Sequence, residues 1–183
     1  MTKINFNFKT IMSGLLLSSL FCFSSCDCGG QKINNSTIGS LDLDRYLGTW
    51  YEIARFDHSF ERGLTHAKAH YSLNEDGTVT VTNTGIKDGK DKTAKGRAVT
   101  TDTAGLLRVS FFGPFYSDYR VMMLSDNYDY ALVGSKSGKY LWILSRTKQL
   151  PVNVESKILD EATSRGYNIE DLIWVKHSLY SEN

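Results

Sequence analysis

The sequence predicts an all-β domain, a sandwich or a barrel, with one amphipathic helix packed outside the sheet. Eight short runs rich in alternating, β-branched and aromatic residues follow one another between residues 50 and 145. Turn clusters such as Asn74-Glu75-Asp76-Gly77 separate these runs. Short strands at this spacing favour antiparallel pairing between sequential neighbours.

Each predicted strand ends at one of these turns. The strands are predicted over residues 50–56, 68–73, 78–83, 93–100, 106–112, 118–124, 130–134 and 140–145. The longest connection, residues 57–67, is polar and contains Gly63. We expect it to form a flap at one end of the sheet.

A helix is predicted between Pro151 and Gly166, which suit its first position and the position just past its end. On helical spacing, one face carries the apolar residues Val154, Ile158, Leu159 and Ala162. This face is expected to pack on the sheet, and a last short strand is predicted over residues 172–175.

The amino-terminal segment has the features of a bacterial secretory signal. Lys3 and Lys9 precede an apolar stretch, residues 11–23, that is too short to span a bilayer. Small residues before Cys26 resemble a lipoprotein cleavage box, and this resemblance implies lipidation of Cys26. The alternative is an ordinary cleaved signal with incidental cysteines. The predicted organisation is a signal peptide over 1–25, a flexible tether over 26–40 and one domain over 41–183.

Charge and cysteine content exclude several classes of protein. The formal net charge is +1 and the basic residues are scattered, so neither a nucleic-acid partner nor a polybasic membrane patch is expected. All three cysteines lie at positions 22, 26 and 28, and the body from Ser40 onward has none. The body therefore holds no internal disulfide and is stabilised by its core.

Three motifs in the body resemble the conserved blocks of the lipocalin family. Gly48-x-Trp50 precedes the first strand, the run over residues 141–146 ends in Arg146, and Asp126-Asn127-Tyr128 stands where lipocalins have Thr-Asp-Tyr. The segments YLGTWYEIARFDHSFERGL, SFFGPFYSDY and YLWILSRT are very similar to bacterial outer-membrane lipoprotein lipocalins. The resemblance covers residues 41–177. It implies an eight-stranded antiparallel up-and-down β-barrel with the C-terminal α-helix packed outside.

The family motif residues are expected to be structural. The resemblance implies that Trp50 plugs the closed end of the barrel and that Arg146 stacks on its indole, a contact that contributes about 2 kcal/mol when desolvated. Gly48 would let the chain turn closely beneath the barrel. Tyr128 belongs to the second block.

Strand alternation and the resemblance together predict the residues that line a ligand cavity. Counting by twos from Trp50 places Glu52, Ala54 and Phe56 inside. The other strands contribute Ala69, Tyr71, Val81, Asn83, Val109, Phe111, Tyr140 and Trp142. The set is mostly apolar, as ligand pockets are. The alternative is that these aromatic side chains fill the barrel.

Glu52 is the most unusual member of this set, because an inward carboxylate is costly unless it is paired. Its partner is expected to be an internal Arg, Lys or Tyr, for which Arg97 and Tyr119 are candidates. Otherwise Glu52 contacts a ligand head group or stays protonated.

The predicted function is that of a lipid-binding protein on a bacterial envelope membrane, anchored through Cys26. The resemblance implies fatty acids or lysophospholipids as ligands, for storage, transport or envelope maintenance, and it allows a homodimer. No metal, cofactor or catalysis is expected. The resemblance favours the outer membrane, whereas Asp27 after the lipidated cysteine favours inner-membrane retention in enteric bacteria, so both locations stay open.

Two other functions are weaker alternatives. Haem or porphyrin carriage would need an axial ligand from His58, His66, His70 or His177. A lipid-modifying enzyme would need a catalytic constellation, but the barrel has no cysteine and no Gly-x-Ser-x-Gly elbow.

Overall fold

The structure is a computed structural model that describes residues 32–177. The predicted signal peptide, the lipidation of Cys26 and the start of the predicted tether lie outside these residues and stay predictions. Residues 32–177 lie within one compact unit. No helix within the described part of the chain is long and apolar enough to cross a bilayer.

The described chain contains a short helix, nine strands, a second helix and a single 3₁₀ turn. Their bounds are α1 Leu43–Tyr46, β1 Gly48–Phe56, β2 Thr65–Leu73, β3 Val79–Lys87, β4 Lys90–Thr100, β5 Leu106–Phe112, β6 Phe115–Leu124, β7 Tyr130–Gly134, β8 Leu141–Ser145, α2 Val152–Ser164, the 3₁₀ turn Ile169–Asp171 and β9 Leu172–Trp174.

The first eight strands close into an antiparallel barrel. Each of β2 to β7 pairs with the strand that follows it, β8 pairs with β1, and β1 pairs with β2 to complete the ring. The last residues of β1 leave β2 and pair with β9 instead. This arrangement confirms the predicted eight-stranded barrel with a C-terminal helix outside it.

The two ends of the barrel are defined by alternate turns of the meander. Turns 57–64, 88–89, 113–114 and 135–140 lie at one end, which we call the mouth. Turns 74–78, 101–105 and 125–129 lie at the other end, together with α1, and we call this end the floor.

The hairpin of β3 and β4 is longer than the sequence pattern indicated. The strands were predicted over 78–83 and 93–100, but their pairing continues to Lys87 and Lys90. Residues 90–95 are exposed on both faces of the strand, so no face is apolar and the alternation signal is absent. The hairpin therefore extends at the mouth with a polar, lysine-rich surface.

Two separate apolar cores stabilise the fold. One lies inside the barrel around Trp50, Tyr71 and Val133. The other lies between the barrel wall and α2, whose Ile158 and Ala162 are fully buried. The predicted apolar face of the helix is therefore the face that packs on the barrel.

Residues 33–38 are bound to the body, although their composition predicted a flexible tether. The Asn34 backbone N–H donates to the Arg165 carbonyl at 2.9 Å, and Ile38 N–H donates to the Val121 carbonyl at 3.0 Å. The Asn35 amide donates to the carbonyl of Lys136 at 2.6 Å, in a mouth turn. These partners are distant in sequence, so local composition could not reveal them.

Candidate functional site

The strand register identifies the residues that face the barrel interior. Ala69 pairs with Trp50 on one side and with Asn83 on the other, so these three share the inner face. The interior core also contains five more of the predicted lining residues, namely Tyr71, Val81, Val109, Phe111 and Trp142. Their inward position agrees with the predicted lining, whereas contact with a ligand stays a prediction.

Ala54 and Phe56 were predicted to line the cavity, and this part of the prediction is wrong. Both side chains belong to the core between the barrel and α2. A register irregularity between Glu52 and Ala54 in the pairing of β1 with β8 interrupts the alternation. Such a bulge adds one residue to the strand, so counting by twos gives the wrong face beyond it.

Tyr140 lies just before β8 rather than in it. Its ring stacks on that of Trp142, with centroids 5.8 Å apart and planes 15° apart. The same ring approaches His58 at 5.5 Å and Phe60 at 5.9 Å. Tyr140 is therefore part of an aromatic group at the mouth, where turn 57–64 folds over the barrel.

The floor is built around Trp50 and Arg146, in the stack that the family resemblance implies. The Arg146 guanidinium carbon lies 3.8 Å from the centroid of the indole. Arg146 also donates hydrogen bonds to the carbonyls of Thr49, Arg45 and Tyr128 at 2.8, 2.8 and 3.2 Å. These hydrogen bonds connect β1, α1 and turn 125–129 beneath the barrel.

The conformations of Gly48 and Tyr128 fit this floor. Gly48 has a φ of +88° beside Arg146, a backbone conformation that favours glycine. Tyr128 has a φ of +63°, and its hydroxyl accepts a hydrogen bond from the Asp42 backbone N–H at 2.9 Å. The second block therefore joins the segment before α1 to turn 125–129.

Three tyrosine hydroxyls form a buried chain inside the barrel. Tyr119 lies 2.7 Å from Tyr46 and 3.0 Å from Tyr71, oxygen to oxygen. Burial raises the pKa of Tyr71 to about 12, and that of the other two phenols well above the usual value. The three hydroxyls stay protonated at physiological pH, and they place polar groups in a mainly apolar part of the interior.

A second buried polar group lies near the mouth and contains Glu52. The Arg55 guanidinium donates to Glu52 Oε1 at 2.5 Å and to the Glu61 carbonyl at 2.7 Å. Glu61 Oε2 accepts a hydrogen bond from the Trp142 indole at 3.1 Å and lies 2.9 Å from His58 Nε2. The histidine contact is close but is not aligned as a hydrogen bond. Glu52, Arg55, His58 and Glu61 are all buried, and we call them the mouth cluster.

The partner of Glu52 is therefore Arg55 and neither of the two predicted candidates. Arg97 pairs with Asp76 on the surface at 2.6 Å, and Tyr119 bonds to the other tyrosines. Regular alternation would place residues 52 and 55 on opposite faces of a strand. The bulge after Glu52 brings them together, which explains why the sequence pattern missed Arg55.

The two carboxyl groups of the mouth cluster have opposite pKa shifts. Burial and the nearby Glu61 charge raise the pKa of Glu52 to about 8, against the opposing effect of Arg55. Burial alone would raise the pKa of Glu61, but its contacts with His58 and Trp142 outweigh burial and lower it. At neutral pH, Glu61 is therefore ionised beside the Arg55 guanidinium, whereas Glu52 in the same site is mostly protonated.

The free energy of unfolding is expected to depend on pH through Glu52. Its pKa rises from an ordinary 4.5 to about 8 on folding, so the folded chain binds more protons between these pH values. The contribution of Glu52 to the free energy of unfolding is therefore fully present below about pH 4.5 and is lost as the pH rises through about 8.

Glu52→Gln removes this titration and keeps the shape of the side chain. Urea unfolding across the window should show a steeper loss of stability with rising pH in the wild type than in Glu52→Gln. The exposed Glu75→Gln serves as the control and should follow the wild type. Parallel profiles for the wild type and Glu52→Gln would contradict the assignment.

The histidines do not gather at one point. His58 is buried in the mouth cluster. His70 is exposed and contacts Thr49, whereas His177 lies 2.8 Å from the carbonyl of Glu52. Within residues 32–177, no group of three His, Cys, Asp or Glu side chains is placed to hold a metal ion.

Several inward-facing residues retain accessible surface. Ala69, Asn83, Val109, Phe111 and Trp142 are only partly buried although they face the interior. Asn83 Oδ1 is itself buried and has no hydrogen-bond partner within the described residues. The barrel wall therefore borders space that its own side chains do not fill.

Comparison with known proteins identifies relatives along nearly the whole chain. The lipocalin-like domain family matches residues 41–177. The outer membrane lipoprotein Blc of Escherichia coli K12 is 46% identical over 163 residues, which cover 87% of this chain and 92% of that protein. Blc of Citrobacter freundii is 42% identical over 164 residues, covering 87% and 93% of the two chains.

Solved structures support the same architecture. Insecticyanin from the tobacco hornworm Manduca sexta superimposes with a TM-score of 0.68 at 21% identity, covering 82% of this chain and 88% of that chain. At this identity the similarity concerns the fold alone. Taken with the family match and the Blc relatives, it leads to one conclusion: the chain belongs to the lipocalin family.

Proposed function

We propose that this lipocalin binds a fatty acid or a lysophospholipid inside its barrel. The observation that carries the proposal is the accessible surface on inward-facing residues such as Ala69 and Val109, which borders unfilled space. The neighbouring walls are apolar, and a closed eight-stranded barrel is wide enough for one small ligand.

The arrangement of polar groups suits a ligand with one polar end. The mouth cluster offers charged and hydrogen-bonding groups near the entrance, whereas the wall between mouth and floor is mainly apolar. The unpaired Asn83 Oδ1 can accept a hydrogen bond from a ligand hydroxyl, such as the glycerol hydroxyl of a lysophospholipid. An acyl chain would then extend inward from the mouth.

The hydrophobic contribution of a buried acyl chain is of the same order as the free energy of a reversible complex. Burying about ten methylenes contributes about 8 kcal/mol before ordering costs, and a micromolar dissociation constant corresponds to about 8 kcal/mol. Uptake and release need no covalent step, so we propose a binding role rather than catalysis. The Blc relatives are named outer membrane lipoproteins, which supports an outer-membrane location and an anchor on Cys26 for this chain.

The direct test is to identify the lipids that accompany the body, residues 32–183, when it is purified without a tag. Native mass spectrometry should show a mass increment that matches a fatty acid or a lysophospholipid. Titration of delipidated protein with a fluorescent acyl probe should then saturate at one site. A delipidated body that binds no acyl probe would overturn the proposal.

Filling the cavity from the wall should block binding. Ala69 faces inward and is only partly buried, so a tryptophan at this position would project into the unfilled space. We expect Ala69→Trp to weaken acyl-probe binding by at least about tenfold, while overpacking costs no more than about 1–3 kcal/mol.

The neighbouring residue provides the matched control for this variant. His70 is exposed on the outer face of the same strand, so His70→Trp adds the same side chain outside the barrel. It should leave the probe affinity unchanged. Equal probe affinities in the two variants would place the probe outside the barrel.

A further inference from the structure

The mouth carries large apolar side chains that the fold leaves in water. Phe112 and Phe115 flank turn 113–114 and are 80% and 78% exposed, and Phe60 in turn 57–64 is 60% exposed. We call these three residues the aromatic rim. Phe112 and Phe115 are paired across this turn, so their rings are neighbours. Exposed apolar side chains that adjoin one another mark a surface that contacts a partner or a membrane.

The neighbouring mouth hairpin is positively charged. Residues 87–95, at the tip of β3 and β4, contain four lysines and two aspartates, a net charge of +2. Lys90, Lys92 and Lys95 are exposed. Phenylalanine beside lysine is the combination that interfacial segments use on anionic bilayers, where the rings enter the acyl boundary and the ammonium groups meet phosphates.

The amino-terminal end of the described chain is also at the mouth. Ile33 packs on Gly138 in turn 135–140, and Asn35 bonds to Lys136 in the same turn. Cys26 lies six residues before Lys32, so the intervening chain can extend by at most about 20 Å. A lipid anchor on Cys26 would therefore hold the mouth, rather than the floor, close to the membrane.

We propose that the mouth is a membrane-docking surface, with the aromatic rim inserted into the headgroup region of an anionic phospholipid bilayer and the hairpin lysines on its phosphates. This contact is separate from the anchor and orients the barrel so that its entrance opens on the bilayer. An acyl chain then passes between bilayer and barrel without crossing water. The proposal goes beyond lipid carriage and does not depend on it, since vesicle binding is measured without a ligand.

The test uses the unlipidated body, residues 32–183, whose described part contains both apolar cores and lies within one compact unit. Flotation with vesicles of phosphatidylethanolamine and phosphatidylglycerol should recover the wild-type body, and added salt should weaken the binding. Phe112→Ser/Phe115→Ser should lower vesicle binding by at least about tenfold. Lys90→Glu/Lys92→Glu should lower it on these vesicles but not on phosphatidylcholine vesicles.

A control with the same chemistry lies away from the mouth. Leu73 at the floor end of β2 and Val152 at the start of α2 are 48% and 80% exposed. Leu73→Ser/Val152→Ser should therefore bind vesicles as the wild type does. Circular dichroism and acyl-probe titration confirm that each variant is folded.

Three results would overturn the proposal. The first is a wild-type body that does not float with anionic vesicles. The second is equal vesicle binding by the Phe112→Ser/Phe115→Ser variant and the wild type. The third is a change from dimer to monomer by light scattering in that variant with vesicle binding intact, which would assign the rim to a second copy of the chain. Acyl-probe binding that persists in any of these cases leaves the proposed lipid carriage standing.

Discussion

Replacing Trp50 by alanine is expected to lower the free energy of unfolding by about 3–5 kcal/mol. The indole is fully buried at the floor, under the Arg146 guanidinium at 3.8 Å and against the Tyr46 ring at 5.0 Å. Its N–H donates to the Tyr46 carbonyl at 2.8 Å. Truncation removes the packing, opens a cavity beneath the barrel and deprives Arg146 of its aromatic face.

Trp174 provides a control of the same residue type in the same protein. It lies on β9 and is about half exposed, so Trp174→Ala should cost less than about 1 kcal/mol. The free energies of unfolding of both variants are compared by urea unfolding, monitored by far-ultraviolet circular dichroism. Similar losses for the two variants would show that Trp50 is not the structural anchor of the floor.

Replacing Arg55 by methionine is expected to cost about 3–5 kcal/mol, because it leaves buried polar groups without their partner. Arg55 is almost completely buried and donates hydrogen bonds to both the Glu52 carboxyl and the Glu61 carbonyl. Without it, the pKa of Glu52 would lie still higher, because Arg55 is the group that opposes its rise. The destabilisation should therefore grow as the pH rises above about 8, and Glu52→Gln in the same chain should recover part of it.

The nearby pair of Arg62 and Asp57 supplies the matched control. Its N–O distance is 2.6 Å, about as short as that of the buried pair, but both side chains are largely exposed. Solvent screening makes such an exposed pair contribute very little to stability, so Arg62→Met should be nearly neutral in urea unfolding. Equal costs for Arg55→Met and Arg62→Met would mean that burial does not set the strength of the pair in the mouth cluster.

Strand positions were largely predictable because their signals are local. Gly, Asn and Asp mark the turns, and alternation marks any strand that has one apolar face. The prediction failed at the tip of β3 and β4, where both faces are exposed and nothing alternates. It also failed for the segment before α1, whose contacts with Arg165 and Val121 lie far away in sequence.

The lining of the barrel was predictable only while the strand stayed regular. The inward positions of Ala69, Tyr71, Val81 and Val109 follow from alternation within well-paired strands. Ala54 and Phe56 lie beyond the bulge in β1, and one additional residue there moves them to the helix side. Nothing in the order of the residues marks that position as a bulge.

The sequence by itself determined the number of strands, the outer helix and the family motifs, because each depends on neighbouring residues or short spacings. Only the tertiary structure decided that Arg55 pairs with Glu52, that Glu61 and His58 are buried beside Trp142, and that three phenylalanines lie exposed at one end. Charge pairing and exposure depend on which strands meet and in what register. That is a property of the closed barrel rather than of any single segment.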